Sequence, residues 1–405
     1  MAQTKSGEKD RANASQEPPK QSVLKKMLVR TVVGTLMLGF FYFMIATRPF
    51  EIIPCFVLAV QIVGFNEVVT IRHSARKERD LILFRTQCWY WALVFLFSLY
   101  GVGAARSIQR LIPDIFSEED LEFFLHYHLW ITFSLGISAF IGFIMTLRKG
   151  LYKYQFTQLS WTLLSIVMSI GNLYIVIANL KSGLFWFVLP SSLIICNDIM
   201  AYFCGIALGK KLISRPFIQL SPNKTWEGFI GAFFCTLGFA WMFSGFLGQF
   251  PLMHCPEETL RYGATSCEVP SFFVPKFYKF PDFANKVMVG LGYEERDFIK
   301  LIPAQIHSLI LSIFASLIAP FGGFFASGMK RAFGVKDFGA YFPGHGGVFD
   351  RMDCQWIMHI AVYAHVITFV LPRHSGFPSV LGAVFSLPEA RQRELLDILQ
   401  NKFSQ

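Results

Sequence analysis

Residues 184–208, LFWFVLPSSLIICNDIMAYFCGIAL, carry one charged side chain, Asp198, in a run long enough to cross about 30 Å of hydrocarbon as a helix. The run is continuously apolar rather than alternating, which fits a helix and not a barrel strand, since backbone groups in lipid must find partners within their own segment. Comparable runs lie near 31–47, 52–69, 89–105, 127–147, 157–180, 228–248, 306–326 and 356–371. With 184–208 they make about nine crossings of the length that a bilayer demands. Composition agrees: of 405 residues, 53% are hydrophobic and 16% charged, against a soluble average of roughly 25% charged. The fold class is an all-α polytopic integral membrane protein.

Loop charge orients the spans through the excess of Lys and Arg on the cytoplasmic side. With the N-terminus cytoplasmic, the loops Arg72–Asp80, Arg148–Lys153 and Lys210–Glu227 and the run Ser327–Asp353 fall on that side, and all are basic. The acidic Ser117-Glu118-Glu119-Asp120 and the long loop at about 249–300 fall on the other. The formal charge of +10 thus reads as topology and attraction to anionic lipid. Nucleic acid is not an expected partner, because no basic stripe with interleaved aromatics occurs. Residues 1–28 are polar and read as a disordered cytoplasmic tail, not a signal peptide, since Arg48 and Pro49 follow the first span in place of a cleavage site. The tail 372–405 has a capping-box pattern at Ser386–Glu389 and an amphipathic stretch to about Phe403. Of eight cysteines, none forms a CxxC pair, so zinc is not expected. Cys255 and Cys267 share the long loop, where a disulfide and two free thiols are both compatible.

No internal repeat of the transporter kind is visible, and the polar residues are distributed unevenly. The first five spans hold little beyond Glu67 that is costly in lipid, so 29–183 reads as scaffold and 184–371 as the catalytic region. Three constellations stand out there. Asp198, preceded by Asn197, shares a helix face with Tyr202, Gly205 and Gly209; a carboxylate inside a span is a functional candidate by default, and the competing reading is an ion-paired carboxylate with packing glycines. Ser221-Pro222-Asn223-Lys224-Thr225-Trp226-Glu227-Gly228 reads as an N-cap and first helical turn, where free amides and Lys224 would favour phosphate. Ser221, Lys224 and Thr225 are its candidate substrate-binding residues, against the plainer reading of a cap with a snorkelling lysine.

The third is SGMKRAFGVKDFGAYFPGHGGVFDRMD, residues 327–353. Asp350 and Asp353, three apart, share a helix face, and paired carboxylates ask for a hard cation such as Mg²⁺. Gly344 and Gly346 flank His345 and, with Gly347, suit a nest of backbone amides around phosphate. Lys330, Arg331, Lys336 and Arg351 would neutralise phosphate oxygens. A basic juxtamembrane loop explains the cations but neither the glycines nor the paired aspartates.

This run resembles the signature of the CDP-diacylglycerol synthases (phosphatidate cytidylyltransferases): Ser327, Lys330-Arg331, Lys336-Asp337, His345-Gly346-Gly347 and Asp350-Arg351-x-Asp353 match in order. The likeness extends through Asn197-Asp198 and SPNKTWEG, covering roughly 185–371. It departs from the bacterial pattern at Gly323, where those enzymes carry an acidic residue, and in this it is similar to the eukaryotic branch. The resemblance implies attack of a phosphatidate oxygen on the α-phosphorus of CTP, with Mg²⁺ as cofactor held by Asp350 and Asp353; Asp198 is the candidate to complete the set in place of the acid missing at Gly323. It also implies Lys330, Arg331, Lys336, Asp337 and His345 as catalytic, Asp337 being either a ligand or an orienting partner of Lys336 and His345 either a phosphate contact or a structural turn residue. Expected partners are CTP, phosphatidate, membrane lipids and, as one compatible assembly, a second copy of the chain. An endoplasmic reticulum membrane with the site facing the cytoplasm follows from cytosolic CTP. The competing functions are a CTP-dependent polyprenol kinase and a transporter built on Asp198.

Overall fold

Helices dominate because the apolar runs leave the backbone no partners but its own. The computed structural model describes residues 23–47, 49–71, 81, 83–112, 114, 116–222, 224–255, 269–279, 282–290, 292, 298–339, 341, 346–370, 384 and 389–403. In chain order the helices are α1 (Val23–Ala46), α2 (Pro49–Thr70), α3 (Phe84–Leu111), α4 (Glu118–Met145), α5 (Tyr152–Ile166), α6 (Asn172–Lys181), α7 (Phe185–Ala207) and α8 (Trp226–Leu247). After α8, strands β1 (Lys276–Lys279) and β2 (Phe298–Leu301) precede α9 (Pro303–Leu317), α10 (Pro320–Ala332), α11 (Phe349–His365) and α12 (Glu389–Phe403).

Among the described residues, 7 helical stretches are long and apolar enough to cross a membrane, which bears out the polytopic all-α class. The expected spans near 31–47 and 356–371 fall short of that standard. Lys25, Lys26 and Arg30 leave α1 only Thr31–Ala46 as a shorter apolar helix, and Asp350, Arg351 and Asp353 take up the first turns of α11. Helix α1 also starts at Val23, inside the stretch expected to be a tail. The amphipathic C-terminal helix is present as α12, although Ser386 of its expected capping box lies outside the described residues. So does His345. The long loop contains what its sequence did not announce, an antiparallel ribbon pairing Lys276 with Leu301 and Lys279 with Phe298.

The chain divides into two compact units, Met1–Tyr174 with Gly322–Asp353, and Ile175–Phe321 with Cys354–Gln405. The signature run thus falls in the same unit as the first spans. In the first unit, Phe65, Val69, Leu81, Cys88, Ala92, Ile166 and Ile170 form the core. Trp161 donates its indole N–H to the Val68 carbonyl at 3.1 Å and meets the Phe333 ring edge-on at 5.0 Å, so the ends of α2 and α10 are joined through α5. Between α5 and α6 a π turn, Val167–Gly171, frees carbonyls from the helical ladder. The Tyr100 hydroxyl donates to one of them, Ile170 O, at 2.5 Å.

In the second unit α7 and α8 approach closely over glycines, as small residues permit in lipid. A Cβ at Gly228 would lie 2.9 Å from the Ala201 carbonyl, and one at Gly231 would lie 2.7 Å from Cys204 Sγ. Ser308 on α9 donates to Ser244 Oγ on α8 at 3.0 Å. Cys255 is disulfide-bonded; Cys267, its expected partner, lies outside the described residues. Gly228→Val should overpack the α7–α8 seam at a cost of about 1–3 kcal/mol, which a lowered thermal unfolding midpoint of the purified variant will report.

Candidate active site

Helix α10 ends in a glycine cap. Gly334 takes φ +69, Val335 N donates to Lys330 O at 3.0 Å and Gly334 N to Arg331 O at 3.2 Å, the backbone pattern of a helix stop. The chain then turns back so that the start of α11 faces the last turns of α10. There Lys330 Nζ lies 2.6 Å from Asp350 Oδ1, with side chains only 14% and 3% exposed. The second oxygen, Oδ2, accepts from Phe338 N at 3.1 Å and Gly347 N at 3.0 Å. Lys330 also sits 5.6 Å from the centroid of the Phe338 ring, and Phe338 packs edge-on against Phe349 at 4.6 Å.

A second carboxylate enters from α2. Glu67 accepts from Val348 N at 3.0 Å through Oε1 and from Phe349 N at 2.8 Å through Oε2. Helix starts leave such amides without intrahelical partners, and here a span 281 positions away in sequence supplies the acceptor. The glycines of the signature make room for it. A Cβ at Gly339 would overlap Glu67 Oε1, and one at Gly347 would lie 2.7 Å from both Glu67 oxygens. Glu67 was legible as a carboxylate costly in lipid, but nothing local in the sequence ties it to position 348.

The amides of Gly347, Val348 and Phe349 are thus engaged by carboxylates, so the nest expected to cradle phosphate is filled from within the protein. Gly346, at φ +80, lies between two acids: a Cβ there would meet Asp350 Oδ2 at 3.1 Å and Asp337 Oδ1 at 3.3 Å. Arg331, Lys336, Asp337 and Arg351 are exposed and Asp353 is half-buried. Lys330, Asp337, Gly346, Gly347 and Asp350 are therefore brought together.

Asp198, Ser221, Lys224 and Thr225 belong to the second unit. Asp198 and Tyr202 are exposed on α7. On the same face a Cβ at Gly205 would stand 3.5 Å from Thr225 Oγ1 and one at Gly209 would overlap the Gly205 carbonyl. The N-cap of α8 is Thr225, accepting from Gly228 N at 3.2 Å, and not Ser221. Ser221 instead closes a turn with Lys224, whose N donates to Ser221 O at 3.0 Å; Pro222 favours that turn. Glu227, also unassigned from sequence, accepts through Oε1 from Leu212 N at 3.0 Å and Ile213 N at 2.8 Å, which pins the loop before α8.

Among the described residues no group of three His, Cys, Asp or Glu side chains is arranged to hold an ion. Mg²⁺ asks for less, one or two carboxylates with water and substrate phosphate completing its shell. Asp337 and Asp350, on either side of Gly346, fit that demand.

With this geometry the comparisons are specific. The chain matches the cytidylyltransferase family over residues 28–369 and belongs to it. It is similar to a "Probable phosphatidate cytidylyltransferase" of Dictyostelium discoideum, 44% identical over 360 residues, 88% of this chain and 74% of the relative. It is 38% identical to "Phosphatidate cytidylyltransferase 1" of Homo sapiens over 349 residues, 85% of this chain and 73% of the relative. A "Putative phosphatidate cytidylyltransferase" of Schizosaccharomyces pombe is 39% identical over 382 residues, 93% of this chain and 84% of the relative.

Removing one member of a buried ion pair strands the other, at about 3–5 kcal/mol. Lys330→Met and Asp350→Leu should each destabilise by that order, and the double variant by less than the sum of the two; denaturant or thermal melts of the three proteins form the cycle that checks it.

Proposed function

We propose that the chain transfers the cytidylyl group of CTP to phosphatidate, giving CDP-diacylglycerol and pyrophosphate. The observation that carries this reading is the turn at Gly346, where two carboxylates and the Lys330 ammonium converge in the signature of a cytidylyltransferase. A phosphatidate oxygen forms the new bond to the α-phosphorus of CTP, and the bond to the β-phosphoryl oxygen breaks, releasing pyrophosphate. No general base is required, since a phosphate monoester is already ionised near pH 7.

The residues divide this work by their surroundings. Lys330, paired with Asp350, sets the direction of that carboxylate. Arg331 and Lys336, exposed, are placed to neutralise the triphosphate and the departing pyrophosphate, with Arg351 as a further cation and His345 as a phosphate contact. Asp337 and Asp350 would hold Mg²⁺, with Asp353 as a further ligand; when bound, the ion supplies charge neutralisation and holds nucleophile and leaving group in line. Ser221 and Thr225 shape the loop that carries Lys224.

A site facing the cytoplasm, where CTP is dissolved, is supported by two features. The disulfide at Cys255 fits an oxidising compartment, and the stretch Pro303–Ala332, one candidate crossing, leads from that loop to the signature. The endoplasmic reticulum satisfies both conditions.

Purified protein given CTP labelled on the α-phosphate and phosphatidate should yield labelled CDP-lipid and unlabelled pyrophosphate, and EDTA should stop it. Release of labelled CDP without CDP-lipid would indicate a kinase and overturn the reading. Asp337→Asn should lower turnover at least 10-fold, roughly the scale of one lost charged contact in a transition state, in the same product assay.

A further inference from the structure

Glu67 sits in the span Ile52–Thr70 and is 4% exposed. Both of its oxygens serve backbone amides of the signature segment, Val348 N and Phe349 N. The next amide back, Gly347 N, and the next side chain on, Asp350, are bonded to each other. Four consecutive residues, 347–350, therefore have their backbone direction fixed by two carboxylates, and Asp350 points where it does because Glu67 holds the residues before it. Gly339 and Gly347 accommodate this arrangement by lacking a Cβ.

We infer that Glu67 is a positioning residue of the transfer site: its carboxylate fixes the start of α11 and so aims Asp350 and Lys330. The inference rests on the cytidylyl-transfer reading. A packing role alone would need only volume, whereas this role needs two acceptor oxygens on one group. Glutamine offers one oxygen and turns an N–H₂ toward the second amide, leaving a buried donor unsatisfied. Aspartate keeps both oxygens on a shorter stem. A displacement of about 1 Å at a reacting group can cost roughly 100-fold in rate.

The test uses the full-length protein in mixed micelles of detergent and phosphatidate. Glu67→Gln should lower kcat roughly 100-fold with KM for CTP unchanged, the signature of lost transition-state alignment rather than lost binding. Glu67→Asp should retain more turnover than Glu67→Gln. Glu67→Ala should regain turnover when sodium formate is added, formate taking the place of the missing carboxylate, but not with sodium chloride at equal ionic strength, and the wild type should respond to neither. A Glu67→Gln enzyme with wild-type kcat, a Glu67→Asp enzyme slower than it, or a folded Glu67→Ala enzyme indifferent to formate overturns the positioning role and leaves the cytidylyl-transfer reading standing. A wild type that makes no CDP-lipid sinks both.

Discussion

A carboxylate inside a membrane span must be given partners, and backbone amides at a helix start must be given acceptors; at Glu67 each need answers the other. Unpaired, either group would cost several kcal/mol in a medium without water. Joined, they tie α2 to the start of α11. The Lys330–Asp350 pair depends on this tie, since Asp350 is the residue immediately after Phe349. The same device recurs in the second unit, where Glu227 holds Leu212 N and Ile213 N. In both places an irregular stretch beside the membrane is kept in one conformation by an acid that accepts two successive N–H groups. Charge-assisted hydrogen bonds of this kind are stronger than neutral ones, which suits segments that cannot be held by regular secondary structure.

Filling the amides from within alters how an anionic substrate must be received. A helix start with open N–H groups would bind phosphate by itself, but those of 347–349 are taken. In the proposed reaction substrate charge would then fall to side chains, and Arg331, Lys336 and Arg351 are exposed cations of the same run. Side chains can move with a triphosphate as it becomes pyrophosphate, whereas a backbone nest is fixed. The rigid elements of the site are thus acids on amides, and its adaptable elements are long cations.

Much of the fold was legible because hydrocarbon thickness and continuous apolar runs translate directly into helices. The candidate site was legible where its parts are adjacent in sequence, as Lys330, Asp337, Gly346 and Asp350 are. What escaped depends on distance along the chain or on competition between local signals. Glu67 lies far from the signature, so its role could not be read from spacing. The cap of α8 moved from Ser221 to Thr225 because both residues suit the position, and Pro222 favours the turn that Ser221 closes. The polar residues Gln155, Gln158, Thr162, Ser165 and Ser169 are buried along α5 and the π turn, yet as uncharged side chains they did not register against an apolar background.

The contact of Glu67 with Gly339 and Gly347 also couples three positions sterically. With the acid where it is, a Cβ at either glycine would fall 2.7 Å or less from its oxygens, so a side chain at either would move the carboxylate. The three positions are coupled although they are spread over two distant stretches of the chain. Room at 339 depends on the acid alone, whereas 347 stays closed without it, because a Cβ there would also lie 2.7 Å from Gly339 N.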